Sequence, residues 1–160
     1  MPKVTLGVKS PGIIFPKRMV FYGSEGAAYV PDYLARAREI AQDGTFIALG
    51  NSVVIDTKTG LEWFAGPDRD TNWYQAKSWV ESLSVDGGGW RMPTKAELRT
   101  LYKEGAGTCK LFKITGYRVW SGETKGSHET WFFNFYNGYD HWGGRQLSVA
   151  TQGFAVRSRR

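Results

Sequence analysis

The chain has 160 residues, which is the usual length of one domain and is long enough to bury a hydrophobic core. Its only cysteine, Cys109, excludes an internal disulfide and any zinc cluster or Cys-x-x-C redox pair made of thiols. The formal net charge of +6 is uneven, because the residues up to Cys109 hold 13 Lys or Arg and 12 Asp or Glu, whereas those from Lys110 onward hold 8 and 3.

The first 42 residues are predicted to form an N-terminal extension with strands and one helix, ahead of a domain over residues 43–160. Within the extension, IIF and MVFY are the candidate strands, and the helix is predicted from Asp32, which can cap it, to Gly44, which ends it. Prolines and lysines interrupt every apolar run near the start, so we expect neither an ordinary signal peptide nor a membrane span. This leaves the location open between the cytoplasm and an exported or phage-like assembly, in which the extension would be a docking segment.

The sequence of residues 45–64 predicts a hairpin, because strand-like segments alternate with residues typical of turns, Gly-Asn at 50–51 and Lys-Thr-Gly at 58–60. A helix should follow, capped by Thr71 or Asn72 and ended by Asp86 and the three glycines after it. Its apolar residues recur at helical spacing, and they are Ala76, Trp79, Val80 and Leu83.

A further helix is predicted after Pro93, because Thr94 and Glu97 have the spacing of a capping box. Leu98, Leu101 and Tyr102 would form its buried stripe. From Lys110 onward no helical pattern remains, and the candidate strands are YRVWS, TWFFNFY, LSV and FAVRSR, separated by loops that contain glycine. The expected fold class is therefore α+β, with two to three helices beside short antiparallel strands and long irregular loops.

Several blocks resemble the Lcl C-terminal domain family, named after a bacterial collagen-like adhesin. They are DTKTGLEW, the helical Ala76, GGWRMPTKAEL, VWSG, TWFFNFYNG and VRSRR, and together they span roughly residues 43–160. The resemblance implies a C-type-lectin-like fold of the formylglycine-generating-enzyme branch, with short twisted strands between helices. It also implies an adhesive role, since members of this family are often trimeric and bind cell-surface polysaccharides, including sulfated ones.

A structural role is expected for three tryptophans and for the polar residues around the Thr94–Glu97 capping box. Arg91 should satisfy buried carbonyls or pair with a carboxylate such as Asp56 or Glu62. The residues assigned to this class are Trp63, Trp90, Arg91, Thr94, Glu97 and Trp120.

A ligand-binding role is predicted for the aromatic and polar residues of NFYNGYDHWGG and for nearby basic side chains. Packing alone gains nothing from amides, a carboxylate and an imidazole, whereas aromatic faces pack on sugar C–H faces and amides bind hydroxyls. Arginine adds charge-assisted contacts to sulfate or carboxylate. The candidates are Asn137, Tyr139, Asp140, His141, Trp142, Arg145, Lys125 and Arg118, and a trimer interface or an ordinary loop is the alternative for this stretch.

Metal binding and catalysis have weaker signals. Asp68, Asp70 and Asn72 could offer oxygen ligands to calcium, but they lack the EF-hand pattern, and a solvated turn explains them as well. Cys109 with His128 or His141 could form a nucleophile and base, yet no local signature brings them together. We therefore expect no cofactor and no enzyme activity. The formylglycine-generating oxidation in particular uses a pair of cysteines, and this chain has one.

The main functional hypothesis is a non-catalytic binding or adhesion module that recognises an acidic or sulfated carbohydrate, or a surface receptor, through its C-terminal loops. A structural subunit of a filament, tail or other assembly is the alternative, and an unrecognised enzyme is the third reading. A homo-oligomer, trimeric or larger, is expected. The basic last third fits anionic partners, but nucleic acid is not expected, since neither a nucleic-acid motif nor a lysine-dense tract is present.

Overall fold

The computed structural model describes residues 39–67, 70–114 and 117–159, which all belong to the second of two units, Met1–Arg36 and Ala37–Arg160. These residues form an α+β structure of two α-helices and two sheets, one of which curls into a half-barrel. The elements in chain order are β1 Glu39–Asp43, β2 Phe46–Leu49, β3 Val54–Asp56, β4 Leu61–Ala65, α1 Trp73–Ser82, α2 Lys95–Lys103, β5 Arg118–Lys125, β6 Glu129–Asn134, β7 Tyr139–Gly144, β8 Thr151–Gln152 and β9 Phe154–Ser158.

The first sheet has the order β1-β2-β3-β4-β9 with antiparallel neighbours throughout, and it contains the predicted hairpin. The second sheet has the order β7-β6-β5-β8, in which only the short β8 runs parallel to its neighbour. Helix α2 packs against β5, β6 and β7, while α1 packs against β5 and β9. The described helices are too short and too polar to cross a membrane.

The helix predicted from Asp32 to Gly44 is wrong where the structure describes it. Residues 39–43 form β1, which pairs with β2 through a turn at Gly44, whose φ of +59° suits glycine. Pairing with a neighbouring strand outweighs the helical spacing of the sequence. The predicted strands of the first thirty residues and the start of that helix lie outside the described residues.

Both later helices are confirmed, together with their caps. The side chain of Asn72 accepts a hydrogen bond from the Gln75 amide at 2.9 Å, and the Gln75 side chain accepts one from the Asn72 amide at 2.9 Å. Thr94 and Glu97 form the same reciprocal pair at the start of α2. Helix α1 ends at Ser82, four residues before the predicted stop at Asp86.

The C-terminal strands are confirmed except at residues 147–149, where LSV forms no strand. The amide of Leu147 instead donates to the carbonyl of Gly144 at 2.9 Å, which closes a turn after β7. Strand β7 itself was expected to be loop, and its position matters for the candidate site.

The core consists of three clusters of buried aromatic and aliphatic side chains. Trp63, Phe133 and Phe154 belong to the largest cluster, which lies between the sheets and α2. Trp90 lies in the second cluster and Trp120 in the third, so the three tryptophans assigned a structural role are all buried.

A buried arginine ties the last strand to the loop after α1. Arg157 on β9 faces Glu62 on β4, and its Nε donates to Glu62 Oε2 at 2.8 Å. Its Nη2 donates to Asp86 Oδ2 at 2.8 Å, and its Nη1 donates to the carbonyls of Asp86 and Gly88. The guanidinium also lies 4.2 Å from the ring centroid of Trp90.

Candidate functional site

The β6–β7 hairpin carries most of the predicted ligand-binding residues. Its turn is held by Asn134, whose side chain accepts from the Tyr136 amide at 2.8 Å and whose carbonyl accepts from Gly138 at 2.8 Å. Gly138 has a φ of +78°, and a Cβ there would lie 2.8 Å from the Tyr102 ring. Glycine is therefore required, and the chain re-enters the sheet as β7 at Tyr139.

Because β7 is a strand, its successive side chains point to opposite faces of the sheet. Asp140 and Trp142 lie on the face covered by α2, where Asp140 forms an ion pair with Arg99. His141 lies on the other face and stacks on Phe132, with ring centroids 5.8 Å apart. The consecutive candidates Tyr139 to Trp142 therefore do not form one surface.

On the α2 face, two tryptophans and two lysines make a group that we call the lysine–tryptophan cluster, formed by Lys95, Lys125, Trp131 and Trp142. Trp131 and Trp142 are directly opposite each other in the hairpin register, and their ring centroids are 5.5 Å apart. The Lys125 ammonium lies 3.3 Å from the Trp142 ring centroid and 5.5 Å from that of Trp131. The Lys95 ammonium lies 3.7 Å from the Trp131 centroid. Each lysine is attracted by the negative face of a ring.

The cluster reaches solvent, since 51% of Trp142 is exposed although it contacts Trp131 and Lys125. No ion pair joins Lys95 or Lys125 to a carboxylate among the described residues. The cluster therefore presents an aromatic surface with two ammonium groups that no described carboxylate pairs with.

The opposite face holds a second group of candidates. Asn137 Nδ2 lies 3.2 Å from His141 Nε2, and the Arg118 guanidinium lies 5.6 Å from the Phe132 ring centroid. Arg118 also donates to the carbonyl of Val149 at 3.1 Å. Tyr139 projects from this end of the sheet with 68% of its surface exposed.

The structure thus brings Lys125 to Trp142 and Asn137 to His141, but it does not join these pairs into one site. Arg145 lies apart, since its guanidinium lies 4.9 Å from the Trp73 ring centroid and donates to the carbonyl of Gly126.

Sequence reasoning missed Trp131 and Lys95. Trp131 could have been found by aligning the hairpin about Gly138, whereas no local signal of the sequence marks Lys95.

Arg91 has a different partner from those expected. It forms an ion pair with Glu97, with Nη2 at 2.6 Å from Oε1, while Glu62 is bound by Arg157. The cause is register, because Glu62 faces Arg157 directly on the neighbouring strand. Burial raises the pKa of Glu97, but hydrogen bonds from Arg91 and Thr94 outweigh it and hold that pKa below its ordinary value of 4.5.

The predicted calcium ligands are engaged elsewhere where they are described. Asp70 accepts from the amide of Ala150 at 2.8 Å, Asn72 caps α1, and Asp68 lies outside the described residues. In the part of the chain that the structure describes, no group of three or more His, Cys, Asp or Glu is arranged to hold a metal ion.

Cys109 is buried in the largest core cluster. Burial raises the pKa of its thiol, and a hydrogen bond with Asp43 raises it further. A thiol with a raised pKa is a poorer nucleophile at neutral pH, because the thiolate is the reactive form.

Two cavities lie away from the lysine–tryptophan cluster. One, of about 300 Å³, adjoins the start of α1, and the other, of about 170 Å³, lies between the β3–β4 turn and α2. The first is lined by Pro67, Asp70, Thr71, Gln75, Trp79 and Gly153. Neither of these two cavities is lined by a residue of the cluster, whose Trp142 ring is half exposed, so the cluster suits a ligand that lies across it.

Comparison with curated proteins gives no match to this chain. The sequence profile of the Lcl C-terminal domain matches residues 52–157, which is more than half of the chain. The matched range includes strands β3 to β8, most of β9, both helices and all four residues of the lysine–tryptophan cluster, while β1 and β2 precede it. The chain therefore belongs to the Lcl C-terminal domain family.

Proposed function

We propose that this domain is a non-catalytic binding module that recognises an acidic carbohydrate at the lysine–tryptophan cluster. The observation that carries the proposal is the half-exposed Trp142 ring, paired with Trp131 and flanked by the ammonium groups of Lys95 and Lys125.

The chemistry of the cluster matches the two parts of such a ligand. An aromatic ring packs against the C–H face of a sugar at a small cost in conformational entropy, because the ring has only two side-chain torsions. An ammonium group makes charge-assisted hydrogen bonds to sulfate or carboxylate. Both lysine ammoniums lie within 5.5 Å of the Trp131 centroid, so one sugar unit could meet a ring and a cation together.

We also propose that the two sheets and two helices have the C-type-lectin-like arrangement that the family resemblance implies. In that arrangement the β6–β7 hairpin would belong to the ligand-binding side of the domain. A homo-oligomer would repeat the cluster and raise the avidity for a polymeric ligand without any new contact.

The test of the proposal is binding to immobilised heparin, used as a defined sulfated glycan. Trp142→Ala should weaken binding by about tenfold or more, and Lys95→Gln and Lys125→Gln should each weaken it and reduce its salt dependence. Tyr139→Ala is the matched control, since Tyr139 is an exposed aromatic residue on the opposite face of β7.

Melting temperatures close to that of the parent chain would show that the variants are folded. If Tyr139→Ala weakened heparin binding as much as Trp142→Ala, the assignment to the α2 face would be wrong. Competition decides the ligand class, because single-stranded DNA also combines anionic groups with rings that stack. Displacement of heparin by DNA at equal charge concentration would contradict a carbohydrate ligand.

We propose no catalytic role for Cys109. Its raised pKa keeps the thiol protonated, and neither His128 nor His141 is among the groups that shift that pKa. His128 interacts with Ser127 and His141 with Asn137, so each histidine has another partner. Loss of a measurable turnover in Cys109→Ser would contradict this assignment.

A further inference from the structure

Strand β7 is an edge of the second sheet, and half of its backbone groups face away from β6. The amide of Arg145 donates to the carbonyl of His128 at 3.1 Å, so Arg145 faces β6 across the ladder. In an antiparallel pair the hydrogen-bonding direction alternates along the strand. Asp140, Trp142 and Gly144 therefore direct their N–H and C=O groups outward.

Most of these outward groups are unused within the described part of the chain. The carbonyl of Gly144 accepts from Leu147, but no described residue donates to or accepts from the backbone of Trp142 or the N–H of Gly144. Trp142 and Gly144 are both exposed, and a Cβ added at Gly144 would meet no atom within 4 Å. A second strand could approach this edge closely.

The side chains beside the edge favour an acidic partner. Lys125 lies over the Trp142 ring, and no described carboxylate forms an ion pair with it. The Lys95 ammonium lies 3.7 Å from the centroid of the neighbouring Trp131 ring, and it also has no ion-pair partner among the described residues. Of the nearby acids, Asp140 is neutralised by Arg99, while Glu123 on β5 and Glu129 on β6 are exposed. The two rings of the α2 face thus carry two ammonium groups, against which an acidic side chain of a partner strand can lie.

We infer that the β7 edge binds an extended acidic peptide of a protein partner by strand addition. The peptide backbone bonds to Trp142 and to the amide of Gly144, and its side chains on the α2 face lie against Trp142 and Lys125. In strand addition the main-chain hydrogen bonds supply affinity and the flanking side chains supply selectivity. This surface shares Trp142 and Lys125 with the proposed carbohydrate site, but it also depends on backbone groups that the carbohydrate proposal does not use.

The probe is an acetylated, amidated peptide of alternating glutamate and valine, about eight residues long, titrated into the full chain with fluorescence anisotropy as the readout. Three matched peptides accompany it: one N-methylated at every second residue, one N-methylated at the intervening residues, and one with lysine in place of glutamate. Only one of the two N-methylated peptides should lose binding, by about tenfold or more, because a strand presents alternate amides to its neighbour. The lysine peptide should bind more weakly than the glutamate peptide.

A pair of protein variants tests the same edge from the other side. Gly144→Pro removes an outward N–H without removing a ladder bond to β6, whereas Gly144→Ala keeps that N–H. Peptide binding should fall by about tenfold in Gly144→Pro and persist in Gly144→Ala. Heparin binding should persist in both, so that failure of this inference is distinguishable from failure of the carbohydrate proposal.

Three outcomes would overturn the inference. The first is absence of binding by the glutamate peptide, or equal binding by both N-methylated forms. The second is slow hydrogen exchange at the Trp142 and Gly144 amides of the free protein that depends on protein concentration, which would assign the edge to a second copy of this chain. The third is slow exchange independent of concentration, which would assign it to another segment of the same chain.

Discussion

Replacing Arg157 should be the most damaging single substitution of a charged residue in this domain. Its side chain is 3% exposed, and it donates to the carboxylates of Glu62, which is fully buried, and Asp86. It also donates to the carbonyls of Asp86 and Gly88 in the loop after α1. One guanidinium therefore holds β9, β4 and this loop together.

The magnitude follows from what Arg157→Met leaves behind. A methionine fills much of the volume but removes the cation from beside the buried Glu62 carboxylate, and breaking a buried ion pair costs about 3–5 kcal/mol. Carbonyls that lose a buried donor cost about 1–3 kcal/mol each, although such terms do not add fully. We expect a loss of about 4–5 kcal/mol, a large part of the 5–15 kcal/mol that typical domains possess.

The assay is equilibrium unfolding in urea, followed by tryptophan fluorescence. Arg157→Lys serves where Arg157→Met is too unstable to purify, and it should cost about 2–3 kcal/mol because a lysine cannot reproduce the planar fork. The double variant Glu62→Leu/Arg157→Met should recover part of the loss, because no buried carboxylate remains at that position. A loss below about 1 kcal/mol in Arg157→Met, or no recovery in the double variant, would refute the reasoning.

Three further predictions concern the ion pair, the caps and the hairpin. Glu97→Gln keeps the capping box but loses the ion pair with Arg91. Because the Arg91 side chain is half exposed, this substitution should lower the free energy of unfolding in urea by only about 0.5 kcal/mol at pH 7. Since the folded pKa of Glu97 lies below 4.5, this difference should be present above about pH 4.5 and disappear as the pH falls through the folded pKa; a difference that grew in acid would contradict the assigned sign. Asn72→Ala removes the cap of α1 and should cost about 1 kcal/mol, seen as a lower melting temperature, while an unchanged value would mean that the cap is dispensable. Gly138→Ala should cost about 1–3 kcal/mol through its positive φ and its contact with Tyr102, whereas Gly144→Ala should be nearly neutral, and equal effects would contradict the turn geometry.

The sequence predicts those elements that are determined by short-range chemistry. The capping boxes at Asn72 and Thr94 involve residues three positions apart, so both helices can be located without tertiary information. The β2–β3–β4 region is similar, since its turns lie within the same short segment as the strands that they join.

The errors arise where pairing between strands, rather than the spacing within one segment, decides the structure. The residues of β1 have helical spacing, but β2 supplies hydrogen bonds that a helix would replace, and only the folded chain shows which wins. The buried ion pair is another case, since Glu62 and Arg157 are 95 positions apart and meet only through the register of β4 and β9. Local patterns carry no information about that register.

Strand β7 shows how one such error changes the reading of function. Treated as a loop, the letters YDHW would offer four neighbouring side chains to one ligand. As a strand they divide between two faces, so Trp142 joins Trp131 while His141 joins Phe132. A substitution series across these residues should therefore separate into two classes by face rather than follow position in the sequence.

The segment WRMPTKAEL links the structural residues to the proposed site. The Thr94–Glu97 box sets where α2 begins, and Lys95 is the first residue of that helix. The Lys95 amide donates to Glu123 on β5 at 2.5 Å, while the carbonyl of Pro93 accepts from Gly122 at 2.8 Å. These bonds fix the start of α2 against the second sheet, at the place where the Lys95 ammonium meets the Trp131 ring. A capping motif that has a structural role therefore also positions a cation of the proposed ligand surface, and Thr94→Ala should weaken heparin binding through Lys95 as well as lower stability.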